Sequence, residues 1–96
     1  MKSLVYKIFG KENISIFPNP ATKGKVVNLM VNNRGNYFVE LINDKSILLH
    51  TQQFHINNKE EVSLFNIPAN ISDGNYFIKV INKHNNKEFI KTIKVH

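Results

Sequence analysis

The chain has no cysteine and no tryptophan among its 96 residues. Without thiols it has no disulfide, no thiolate metal site and no cysteine nucleophile. Glycine is scarce as well, with four residues, and none sits in a phosphate-cradling loop. Acids number seven, and the only adjacent pair is Glu60-Glu61. Neighbours on a strand face opposite ways, so that pair is a poor acid/base couple. No apolar run approaches the length of a transmembrane helix, and no amphipathic helix of useful length is visible. At the N-terminus, Leu4, Val5, Tyr6, Ile8 and Phe9 are interrupted by Lys7 and followed by Gly10-Lys11-Glu12. That segment lacks the unbroken core and small-residue cleavage site of an export signal.

Asparagine and lysine are abundant, at fifteen and twelve residues against a single arginine. The formal net charge is +6, a balance that generically suits nucleic acid, an anionic membrane surface or an acidic partner. Its placement is uneven: five lysines (79, 83, 87, 91 and 94) and only Glu88 lie between Lys79 and the last residue. Lysine on a terminal strand also discourages strand-to-strand aggregation.

One phrase recurs. Gly35-Asn36-Tyr37-Phe38-Val39-Glu40-Leu41 and Gly74-Asn75-Tyr76-Phe77-Ile78-Lys79-Val80 both continue into Ile-Asn, then a polar turn, then another apolar run. In the second copy Tyr76, Ile78 and Val80 share one face of an extended strand, whereas a helix would separate Ile78 from the other two. Ser72, Asp73 and Gly74 supply turn chemistry before it. The chain therefore holds two similar β-hairpins.

The remaining segments fit the same class. Ile14 to Phe17 alternates and stops at Pro18-Asn19-Pro20-Ala21, where two prolines remove two backbone donors. Lys25 to Val31 reads as a strand with Val27, Leu29 and Val31 inward. Ile47-Leu48-Leu49 opens another that continues toward Phe54, and Glu61 to Phe65 is read as a strand with Val62 and Leu64 inward. The last runs from about Glu88 to Val95. About seven short strands at this spacing predict an all-β, Ig-like sandwich of antiparallel strands in two sheets. Tyr76, just past a turn, is placed to make a tyrosine-corner hydrogen bond. The domain is expected over residues 13–96, with residues 1–12 a linker or the remnant of an upstream region.

No catalytic constellation emerges. His50 and His55 fall on opposite faces of a straight strand, and Ser3, Ser15, Ser46, Ser63 and Ser72 lack a nucleophile-elbow context. An enzyme is not expected, nor a metal or other cofactor. Phe38 and Phe77 raise a base-stacking option, but the lysines do not gather round Phe38, whose outward neighbour is Glu40, so no nucleic-acid partner is expected.

Three blocks in order resemble a known family: Phe17-Pro18-Asn19-Pro20-Ala21, Asp73 to Val80, and Lys91-Thr92-Ile93-Lys94-Val95 close to the end of the sequence. They resemble the type A C-terminal sorting domain of the type IX (Por) secretion system of Bacteroidetes, over about Asn13 to His96. Pro18, Asn19, Pro20, Gly74, Tyr76 and Lys91 match its motif positions. One departure is Asn43-Asp44-Lys45-Ser46, a turn in which the family usually carries glycine. The resemblance implies a non-catalytic signal on an N-terminal cargo domain. It implies passage through the periplasm, recognition by the outer-membrane translocon and shuttle proteins, and cleavage within or before residues 1–13 by a sortase-like surface peptidase. The product would be secreted or held at the cell surface, without direct membrane insertion. Recognition is expected on the last strand, through its main-chain groups and Lys87, Lys91 and Lys94, and the same open edge invites self-association. The alternative from another class is an adhesive or carbohydrate-binding β-sandwich module.

Overall fold

The structure, a computed structural model, describes residues 14–58 and 61–96. The N-terminal segment discussed above lies outside them. Among the described residues seven strands follow one another: β1 (Ile14–Phe17), β2 (Val26–Val31), β3 (Gly35–Ile42), β4 (Leu48–Ile56), β5 (Val62–Asn66), β6 (Gly74–Asn82) and β7 (Glu88–Val95). They form a three-stranded sheet in the order β1-β2-β5 and a four-stranded sheet in the order β4-β3-β6-β7, all antiparallel. The expected all-β sandwich is therefore what the chain adopts.

The two copies of the repeated phrase are the central strands of the larger sheet. β3 and β6 run antiparallel with Val39 opposite Val80, so each copy brings its own hairpin partner, β4 or β7, to an outer edge. Their tyrosines do the same job. Tyr37 and Tyr76 are buried, and each hydroxyl donates to the carbonyl four residues earlier, Asn33 at 2.9 Å and Ser72 at 2.5 Å. Burying a phenol requires such a partner. Both glycines opening these strands take positive φ, 145° at Gly35 and 152° at Gly74. A methyl group on Gly74 would meet nothing within 4 Å, so backbone conformation alone selects glycine there.

The hairpin turns are built alike. The Asn43 side-chain oxygen accepts from the Lys45 and Ile47 amides at 2.8 and 2.9 Å, and that of Asn82 accepts from the His84 amide at 2.9 Å. With no glycine in either turn, Ser46 takes the left-handed conformation itself (φ 67°), as Asn86 does in the second turn (φ 61°).

Val27, Leu29 and Val31 from one sheet meet Val39, Leu41, Ile78, Val80 and Ile93 from the other in a single core. β5 departs from the expectation. Val62 and Leu64 point outward, and Phe65 is fully buried. The segment Val62 to Ile67 is apolar on both parities, and pairing settles the choice. Phe65 opposes the buried Val27, and directly opposed residues share a face. Turning Phe65 and Ile67 inward also removes more apolar surface from water than Val62 and Leu64 would.

Where β5 faces β4, Gln52 spans the seam between the sheets. Its amide nitrogen donates to the Leu64 carbonyl at 3.3 Å, and its oxygen accepts from the Asn66 amide at 2.7 Å.

Candidate functional site

At the opposite seam the chain leaves β1 through Pro18 and Pro20, which have no amide hydrogens to offer. Asn19 between them supplies both functions from its side chain. Its Nδ2 donates to the Thr92 carbonyl at 3.3 Å, and its Oδ1 accepts from the Lys94 amide at 3.0 Å. The main chain then takes over. The Ala21 amide donates to the Lys94 carbonyl at 2.7 Å, the His96 amide to the Ala21 carbonyl at 3.0 Å, and the Lys23 amide to the His96 carbonyl at 3.0 Å. Ala21 forms a parallel bridge with Val95 and is completely buried. Residues 18–23 thus form a strap along the C-terminal half of β7.

Lys23 extends the strap sideways, its Nζ lying 2.5 Å from the Asp73 carboxylate in the loop before β6. The Lys23 hydrogen bond and then its charge hold the Asp73 carboxyl below its ordinary value. Slight desolvation opposes them, and the nearby His96 adds a smaller lowering. Gly74 pairs with Val95 and Asn75 with Lys94. The three sequence blocks, far apart along the chain, therefore meet at one end of the sandwich.

The other candidate residues fall as follows. Pro18, Asn19 and Pro20 form the first half of the strap. Gly74 opens β6, and Tyr76 two residues on anchors the strand to the core. Lys87 lies in the β6–β7 turn, and Lys91 and Lys94 are exposed on β7. Lys91 shares parity with the inward Phe89 and Ile93, and Lys94 with the outward Ile90, so the charges straddle the strand edge instead of forming one patch. No described residue forms an ion pair with any of these three lysines, whereas Lys79 lies 4.0 Å from Glu40 and 3.8 Å from Glu88.

The edge itself differs from the open strand expected from sequence. Its C-terminal half is already occupied by the strap. Sequence reasoning missed the Asn19 clamp; its trace was a lone amide side chain between two residues unable to donate.

Of the two aromatics weighed for base stacking, Phe38 is capped by the Lys83 ammonium, 4.8 Å from the ring centroid. A shallow polar hollow lies between the Asn43-Asp44-Lys45 turn and the Ser72–Asn75 loop. Among the described residues no group of three His, Asp or Glu side chains is placed to hold a metal ion.

The secretion system C-terminal sorting domain family matches residues 15–95. The chain belongs to that family. Such a domain is the C-terminal signal for type IX secretion: it is attached to a cargo, engages the secretion machinery and directs export across the outer membrane. A solved structure of PorZ, described as an essential bacterial surface component of the type-IX secretion system of human oral-microbiomic Porphyromonas gingivalis, has a similar fold. The TM-score is 0.62 at 15% identity, covering 95% of this chain but only 12% of that one. No curated protein matches the sequence.

Proposed function

We propose that this sorting domain is a non-catalytic address read on β7 by the outer-membrane translocon and shuttle proteins after its cargo has reached the periplasm. The observation that carries this reading is the convergence of all three family blocks on the C-terminal half of β7, where Asn19, Ala21 and Lys23 bond to residues 92–96. A motif that fixes one strand so thoroughly serves the presentation of that strand. Pro18, Asn19, Pro20, Gly74 and Tyr76 act through folding. Lys87, Lys91 and Lys94 supply the charge that the receptor meets, attracting an acidic surface and accelerating encounter.

The domain spans residues 13–96, with residues 1–12 linking it to the cargo and offering the site at which a sortase-like peptidase releases it. The cargo is then secreted or retained at the cell surface.

The test is export of a periplasmic reporter fused to residues 1–96 in a host carrying the type IX system. The wild-type fusion reaches the surface or medium. Lys87→Glu, Lys91→Glu and Lys94→Glu together keep the fold and retain the reporter in the periplasm. Normal export of that folded triple variant refutes the charge-reading role.

A further inference from the structure

The hydrogen bonds of Lys94 reveal which way the edge of β7 faces. Both its amide and its carbonyl point away from β6, toward Asn19 and Ala21. The β6–β7 register is unbroken from Gly74 opposite Val95 to Ile81 opposite Glu88. Antiparallel alternation therefore turns the backbone groups of Thr92, Ile90 and Glu88 the same way. Asn19 takes the Thr92 carbonyl. Among the described residues nothing bonds to either group of Ile90, to those of Glu88 or to the Thr92 amide. Ile90 is also 56% exposed, high for a large apolar side chain.

We infer that the receptor reads the domain by adding one short extended segment to β7 over Glu88–Thr92, with Asn19 as the stop that sets its register. This rests on the sorting reading above and names its partner. The window is about 17 Å long, some five residues. So few main-chain bonds need help from side chains. The surroundings specify which: Lys87, Lys91 and Lys94 call for acidic residues, and Ile90 calls for an apolar residue opposite it. The occupant is therefore an acidic, extended protein segment. Beyond Thr92 it would have to displace the Asn19 side chain, which gives the family's Pro-Asn-Pro block a recognition role as an edge guard besides ending β1.

The reporter fusion tests this with Ile90→Pro, which deletes an outward-facing amide without touching the β6–β7 ladder. Ile90→Thr keeps that amide and is the control. The expectation is that wild type and Ile90→Thr are exported while Ile90→Pro, folded, loses export by roughly tenfold. Thr92→Pro removes another open amide of the window and gives the same loss. No export of the wild-type fusion would sink the sorting reading itself. Export of wild type and of a folded Ile90→Pro alike overturns only the strand-addition inference. A measurement without substitution stands beside these. In the wild-type monomer the Ile90 amide exchanges freely with solvent and the Lys94 amide is protected; equal protection of the two overturns the open window. A dimer that protects Ile90 and dissociates on Ile90→Pro, with export unaffected, would assign the window to a second copy and likewise refute the inference.

Discussion

Asn19 and Lys94, 75 residues apart, are joined by a 3.0 Å hydrogen bond from the Lys94 amide to the Asn19 side-chain oxygen. With the bond from the Asn19 side-chain nitrogen, Nδ2, to the Thr92 carbonyl, it fastens the exit of β1 to the end of β7. One side chain thus couples the two sheets at a seam where proline has removed the backbone's own donors.

Replacing Asn19 with alanine leaves the Lys94 amide and the Thr92 carbonyl to water. Because both are at the surface, the expected loss is about 1 kcal/mol, a fall in Tm of about 4–8 °C for a domain of this size. Asn19→Asp keeps the acceptor for Lys94 and falls between the two. Thermal unfolding ranks the three, and amide exchange at Lys94 rises in the alanine variant.

Gly74→Ala and Ser46→Gly are expected to move stability in opposite directions. At φ 152° alanine is strained although nothing obstructs its methyl, and the cost is about 1–3 kcal/mol. At Ser46, φ 67°, glycine relieves a left-handed serine and gains up to about 1 kcal/mol. Denaturant midpoints with unchanged slopes would check both.

The inward turn of β5 has its own signature. Phe65→Ala costs about 3–5 kcal/mol, while Leu64→Ser at its exposed neighbour stays within about 0.5 kcal/mol. Equal effects at the two positions would contradict the observed register.

Asp73 gives a pH dependence of fixed sign. Its carboxyl is held below the ordinary value in the folded chain by Lys23. The stabilisation is therefore fully present above the unfolded pKa and fades as pH falls through the lowered folded value, below about pH 4. The pair is exposed, so the effect is small and salt-sensitive. Acid titration of Tm shows it as a shallower low-pH decline in Asp73→Asn than in wild type.

Much of this was legible in the residues themselves. Alternation set strand identity for β2, β6 and β7 because a half-buried strand must separate its faces, and Val27, Leu29, Val31, Tyr76, Ile78 and Val80 are all buried accordingly. The duplicated Gly-Asn-Tyr-Phe phrase announced two equivalent hairpins, and the place of Tyr76 just past a turn announced its hydroxyl-to-carbonyl bond. Local chemistry suffices for such features, since each is decided within a few residues.

Other features depended on which strands became neighbours. Val62-Ser63-Leu64-Phe65-Asn66-Ile67 offers an apolar set on either parity, and only its pairing with β2 chose between them. Whether the edge of β7 is open or covered depends on a proline-flanked turn more than seventy positions earlier, a contact that leaves no periodicity in the chain. Short-range patterning determined the strands and their turns; long-range hydrogen bonding, which has no local trace, decided which stretch of the last strand remains for a partner.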